Sequence, residues 1–221
     1  MVVSLKTIQA ALALPHFNEQ QSKRARNIMM PTPILPERSI NPNPSSRVGS
    51  VLILFYPTAA QTILVLTRRR DDMRTHPGQI SFPGGGQEGQ ETLAQTALRE
   101  TEEEVGIPTD RIKIIGELIP TYVPPSDFIV HPFVGWYQSR TALNKRPIFH
   151  RNPAEVAEIV EIPVHRLLEE SIRQEEPRFI KETRFLFPYF AVDQYKIWGA
   201  TAYILSEVVE RLRYVTKNGN G

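Results

Sequence analysis

Apolar residues recur along this chain in two patterns, short runs that suit strands and longer stretches at helical spacing. Residues 51–56 and 62–67 are apolar runs separated by a proline-led segment, 57–61, and so predict two paired strands. Further strands are predicted over 112–118, 129–137 and 156–162, and a hairpin over 185–192 and 195–197 turning about Asp193 and Gln194. Helical spacing appears over 5–14, where Leu5, Ile8, Leu12 and Leu14 form an apolar face that Pro15 ends. Over 92–105, Leu93, Ala94, Ala97, Leu98 and Thr101 form an inward stripe, and over 199–214 Ala202, Leu205, Val208, Val209 and Leu212 form another. A short helix is expected after Pro163, reaching residue 170. Between 31 and 48, Pro31, Pro33, Pro36, Pro42 and Pro44 lie among Asn and Ser, which reads as an extended arm. The chain thus divides into a helix and arm over 1–47, one α/β domain over 48–216, and a frayed tail over 217–221.

Composition narrows the function classes. A chain of 221 residues with 41% hydrophobic content can bury one sizeable core. With 26 basic and 24 acidic residues its formal net charge is only +2, so no broad nucleic-acid surface is expected. The absence of cysteine excludes a disulfide scaffold, a thiolate zinc site and a cysteine nucleophile. The N-terminus lacks the apolar core of a signal peptide and no segment is long enough to span a bilayer, so a cytoplasmic protein without membrane contact is expected.

The candidate chemistry lies in residues 85–107, a glycine-led loop followed by a helix whose last turns carry Glu100, Glu103 and Glu104. Positions three and four apart share a helix face, so Glu100 and Glu104 stand one turn apart with Glu103 beside them. Like charges so placed repel, and a divalent cation with oxygen ligands relieves the repulsion. The simpler reading is a solvated helix end, and on charge alone it is the commoner outcome. Yet these acids precede the Gly106 stop, at the helix end whose dipole disfavours them.

The flanking residues reverse that balance. Gly85, Glu91, Arg99, Glu100, Glu103, Glu104, Gly106 and Ile107 fall at the spacing G-x5-E-x7-R-E-U-x-E-E-x-G-U, where U is bulky and aliphatic. This resembles the Nudix box, with Thr101 standing where the family prefers an aliphatic residue. The resemblance implies an α/β/α sandwich with a central mixed sheet, to which the N-terminal helix and arm are additions. It also implies hydrolysis of a nucleoside diphosphate joined to another moiety. Glu100, Glu103 and Glu104 would hold Mg²⁺ or Mn²⁺, with the Gly85 carbonyl as a further ligand, and Glu103 or Glu104 could instead orient or deprotonate water. Arg99 is a candidate at the reacting centre, although opposite charges at the two ends of the box favour a structural Glu91–Arg99 pair. Glycines at 84, 85, 86 and 89 would let the loop turn tightly beside the carboxylates.

Upstream, residues 65–85 resemble the signature of coenzyme A diphosphatases, with Thr67, Arg69, Arg74, Gly78, Phe82, Pro83, Gly84 and Gly85 at matching positions. Arg70 departs from it, replacing a small residue. Arginine forks suit the phosphates of such a substrate, and Arg69 and Arg74 are the best candidates. His76 is either a phosphate contact or a loop hydrogen-bonding group, and Phe82 either a core anchor or a base contact. Tyr122, in the proline-stiffened segment 121–127, could touch base or pantetheine. Glu155 before a strand and Trp198 before the last helix are secondary candidates, for the metals and for adenine, against the ordinary roles of turn residue and core aromatic. The arm leaves two arrangements open, capping the pocket or reaching a second subunit in a homodimer. Rival functions are a Nudix hydrolase of ADP-ribose, NADH or another nucleotide, and a non-catalytic nucleotide sensor, which would be expected to lose the box glutamates.

Overall fold

The computed structural model describes residues 3–33, 42–73, 75–139 and 146–219. Its centre is a mixed sheet. Strand β1 (Arg47–Pro57) runs antiparallel to β2 (Thr62–Arg69), joined by a turn in which Thr58 N donates to Gln61 O at 2.7 Å. Beyond Leu54 and Val65 the two strands no longer pair with each other. The gap is filled by β3 (Ile80–Ser81), which pairs with Thr67 and Arg68 of β2, and by β4 (Gly84–Gly86), which pairs with Gly49, Ser50 and Val51 of β1. Leu52 N donates to Pro83 O at 2.8 Å, so the chain between β3 and β4 is itself stitched into the wedge. Gly49 permits this approach, because a Cβ there would stand 2.1 Å from the Gly85 carbonyl oxygen.

Helix α3 (Leu93–Val105) follows the wedge, and after it come β5 (Ile112–Glu117), β6 (Thr121–Val123) and β7 (Phe128–Tyr137). Strand β7 lies parallel to β1 on its other edge and carries β5 and β6 antiparallel, while β8 (Val156–Pro163) pairs with the outer edge of β2. A single turn, α4 (Val164–Leu167), ends this run. Alternation along β1 divides the core. Leu52, Leu54 and Tyr56 pack with Ala97 and Val105 of α3, whereas Ile53 and Phe55 join the cluster of the last helix, α5 (Gly199–Asn218). Helices therefore cover both sheet faces, as the sandwich expectation requires. Helix α5 runs one turn further than its apolar stripe, through Asn218 and into the segment expected to fray.

Besides the short wedge strands β3 and β4, sequence periodicity missed three further elements. Helix α2 (Glu19–Asn27) follows α1 (Leu5–Leu12), β6 lies in the segment expected as loop, and β9 (Arg173–Ile180) extends the late hairpin to a three-stranded sheet with β10 (Thr183–Val192) and β11 (Tyr195–Trp198). Of α2's residues only Ser22, Ala25 and Arg26 are buried, so it carries no apolar stripe for periodicity to detect. It is held instead by a buried polar network. Arg26, 1% exposed, donates to Glu207 of α5 at 2.7 Å and to the Ile119 carbonyl at 2.8 Å, and also bonds Thr121. Ser22 donates to Glu207 at 2.8 Å, and Arg211 closes the network 2.8 Å from the same carboxylate. Val3, Ile8, Ala11 and Met29 join the main core. Residues 3–33 thus pack on the domain, and the proline-rich stretch 34–41 lies outside the described residues. Among the described residues no helix is long and apolar enough to cross a membrane.

Candidate active site

Helix α3 is fixed at both ends by its own sequence. Thr92 and Gln95 form a capping box, Gln95 N donating to Thr92 Oγ1 at 3.3 Å and Thr92 N to Gln95 Oε1 at 2.8 Å. At the other end Gly106 takes φ 73° and donates to the Glu102 carbonyl at 2.8 Å. A Cβ at Gly106 would also stand 2.5 Å from His150, so both its conformation and its surroundings demand glycine. Asn152 N donates to the Glu104 carbonyl at 3.0 Å and His150 N to that of Val105 at 2.9 Å, drawing the segment before β8 onto the helix end. Thr101 fills its core position with the hydroxyl donated to the Ala97 carbonyl at 2.7 Å. Its departure from the family pattern leaves no unsatisfied group.

Arg99 is the clamp of the motif. Its Nε and Nη2 grip Glu91 at 3.1 and 2.9 Å, its Nη2 also reaches the Gly86 carbonyl at 3.0 Å, and its Nη1 lies 3.0 Å from both Glu100 and Glu103. Glu91 additionally accepts from Glu88 N and the Thr96 hydroxyl, each at 2.9 Å. These donors, Arg99 first, hold the Glu91 carboxyl down to about 2. Arg99 therefore ties the loop to the helix through the Glu91–Arg99 pair that opposite charges at the two ends of the box favour, and it also pairs with Glu100 and Glu103.

Glu100 lies against Gly85. A Cβ at Gly85 would stand 2.4 Å from Glu100 Oε1, so the Glu100 carboxylate occupies the space a side chain would take here. Gly84 and Gly89 adopt positive φ, whereas Gly85 and Gly86 do not. The Gly85 carbonyl oxygen lies beside Gly49 on β1. Glu104 continues the buried stripe of α3 and is only 4% exposed. Burial first, then the charges of Glu100 and Glu155, push its carboxyl up to about 8, against the opposing pull of Arg69 and the Gly84 N–H. Its Oε2 is buried with no hydrogen-bond partner. Glu100 is also raised, chiefly by burial and partly by Glu103 and Glu155, with Arg99 opposing. Glu103 is 55% exposed at the rim.

Glu155 enters this field from the turn before β8, so the secondary candidate stands with the box acids. Arg69 sits where the β2–β8 register slips between Arg68 and Arg69, an irregularity of the kind that re-aims a side chain. It lies close enough to Glu104 to lower it, and its Nε is buried without a partner. Arg70 faces away from this pair: it grips Asp72, with Nε to Oδ1 at 2.8 Å, and donates to the Pro153 carbonyl at 2.8 Å. The unusual arginine is thus a strap from the loop after β2 to the turn carrying Glu155.

The remaining candidates separate. Phe82, 3% exposed, belongs to the hydrophobic core, the anchor position of its two alternatives. His76 is exposed at φ 55° and its carbonyl accepts from Gln79 N at 3.3 Å, a turn role for its backbone. Tyr122 donates to Asp127 at 3.0 Å. The row Tyr122, Ile129, Val48, Gln87 puts it three strands from the glycine strand, about 14 Å at the usual inter-strand spacing. Arg74 lies outside the described residues. Trp198 stacks with Arg178, whose guanidinium carbon is 4.6 Å from the ring centre, rather than lying in the core.

Among the described residues no three acidic or histidine side chains form a ready-made cation cage, and Arg99 holds Glu100 and Glu103 to itself. The donor set nonetheless fits a hard divalent cation. Glu100 raises the proton affinity of Glu104, and the Glu104 Oε2 is buried with no hydrogen-bond partner.

Comparison with known proteins agrees with this architecture. The NUDIX domain family matches residues 46–183. The chain is 35% identical over 153 residues to an uncharacterized Nudix hydrolase NudL of Photorhabdus laumondii, covering 68% of this chain and 77% of that one. It is 34% identical over 175 residues to the NudL of Pectobacterium atrosepticum, covering 77% and 85%. Among solved structures, the Nudix hydrolase RenU from M. smegmatis aligns with a TM-score of 0.50 at 15% identity, covering 79% of this chain and 89% of that one. A MutT/nudix family protein from Enterococcus faecalis gives 0.50 at 14% identity, covering 83% and 65%. At such identities these two structures speak to the fold alone.

Proposed function

Because the chain belongs to the Nudix family and is a hydrolase acting on pyrophosphate bonds, we propose that its substrate is coenzyme A or an acyl derivative, cleaved to 3′,5′-ADP and (acyl-)4′-phosphopantetheine. The observation that carries this reading is Arg69. The segment resembling the coenzyme A diphosphatase signature forms the wedge between β1 and β2, with Arg69 beside Glu104 and its Nε buried and unpartnered. A guanidinium so placed beside acidic groups is suited to a phosphate oxygen of the scissile pyrophosphate.

In this reading Glu100 and Glu104 would hold the divalent cation, Mg²⁺ or Mn²⁺. That ion, when bound, supplies charge neutralisation to the pyrophosphate oxygens and acidifies water. The residues of the chain do the rest. Arg99 and Glu91 fix the loop against α3, so the carboxylates are aimed before substrate arrives. Gly85 leaves the space in which Glu100 lies. Water oxygen forms a bond to one phosphorus, the bridging P–O bond breaks, and the bridging oxygen leaves on the other phosphate. Glu103, exposed at the rim, takes the water proton. Glu155, whose charge acts on both Glu100 and Glu104, would assist in holding the cation, and Tyr122, about 14 Å along the sheet, meets a distal part of the long substrate.

The nearest rival is a Nudix hydrolase of ADP-ribose or NADH, which shares the box without needing the wedge arginine. A sensor reading is disfavoured by the retention of Glu100, Glu103 and Glu104. The test is chromatography of products after incubation with coenzyme A, ADP-ribose and NADH, with Mg²⁺ or Mn²⁺ and then with chelator. Metal-dependent release of 3′,5′-ADP from coenzyme A is expected. Turnover of ADP-ribose or NADH with coenzyme A untouched would overturn the substrate while leaving the reaction class.

A further inference from the structure

A cleft of about 670 Å³ opens between α2, α5 and the turn leading into β9, within the size range of small-molecule sites. No residue of the box lines it, and α5 lies on the sheet face opposite α3. Part of its wall is apolar and aromatic, with Ile28, Phe17 and the half-exposed Tyr214. Its charge is unbalanced. Arg24, Arg173, Arg213 and Lys217 face only Glu170 and Glu210 as acids.

Pairing leaves the surplus on the guanidiniums. Arg213 donates to Glu210 at 2.9 Å and to the Glu169 carbonyl at 3.1 Å, yet its Nε is buried with no partner. Lys217 stands 3.9 Å from Glu170. The side chains of Arg24 and Arg173 have no hydrogen-bond or ion-pair partner among the described residues. Each has an ordinary explanation alone, Arg24 by the dipole at the end of α2 and Arg173 by solvation on an edge strand. Neither explanation covers the buried, unpartnered Nε of Arg213, nor three guanidiniums sharing one concavity with two aromatic rings.

Guanidinium forks recognise phosphate oxygens, and aromatic side chains offer broad area to a planar ring. We propose that this cleft binds a nucleoside monophosphate, its phosphate on Arg24 and Arg173 and its base against Phe17 and Tyr214. The site is separate from the glutamate cluster and does not depend on which pyrophosphate the enzyme hydrolyses.

The experiment is calorimetric titration of AMP into the full chain without divalent metal, so that no cation bridges the nucleotide phosphate to the box glutamates. Wild type and Arg69→Ser are expected to bind with equal affinity, and the Arg24→Ser/Arg173→Ser double variant at least about tenfold more weakly. Both substituted arginines are exposed, so the fold is expected to persist. Inorganic phosphate should compete weakly and adenosine hardly at all. No binding of AMP by wild type would overturn the proposal, as would binding lost in Arg69→Ser and kept in the double variant.

Discussion

Glu104 carries a conflict that its neighbours do not resolve. It is a carboxylate at a core position, 4% exposed, held to about 8 by burial and by Glu100. A raised carboxyl leaves stability unaffected below the ordinary value of about 4.5, then costs stability as pH rises to about 8 and is constant above. Glu104→Gln should therefore lower turnover at least about a hundredfold, by removing a cation ligand. In chelator it should raise Tm above wild type by an amount that grows from about pH 5 to pH 8 and then levels off. Pyrophosphatase assays and melting curves across pH check the two halves, and an unchanged Tm at high pH would refute the buried-charge account. Spacing alone identified Glu104, Glu100 and Glu103; which of them is interior and which is rim required the sheet beneath α3. The same holds for Arg70, a departure in the signature whose partners Asp72 and Pro153 lie on two different loops.

Elements differ in how they are held. The loop and α3 are bound by Glu91 and Arg99, and the lowered Glu91 carboxyl favours the folded state above about pH 4.5, an advantage lost as pH falls toward 2. Glu91→Gln should lower Tm at neutral pH, with the gap to wild type narrowing through that acid window in a pH series of melts. Thr101→Val should leave activity unchanged and shift stability by no more than about 1 kcal/mol, since the hydroxyl bonds only its own helix. Denaturant titration checks it. Helix α2 is the contrary case, a polar sequence fixed by buried charge. Arg26→Met leaves Glu207 short of a partner and should cost about 3–5 kcal/mol, with much of the loss recovered when Glu207→Gln is added. Non-recovery in the double variant would show that packing, and not charge, holds α2.

At the scale of the molecule, residues 3–33 are part of the fold. Deleting them would expose the α5 face that packs Ile8 and Ala11 and strip partners from Glu207 and Arg211. The truncated chain is expected to aggregate or bind a hydrophobic dye, and a soluble, active product would refute that integration. Periodicity and turn chemistry by themselves determined the five long strands of the central sheet, helices α3 and α5, and the box with its Gly106 stop, because each is written in local spacing. Tertiary structure alone decided the wedge between β1 and β2, the fit of α2, the third strand beside the late hairpin, and the meeting of Arg69, Glu155 and the box acids. These depend on groups far apart in sequence satisfying one another's charge and hydrogen bonds, and no local pattern encodes such a pairing.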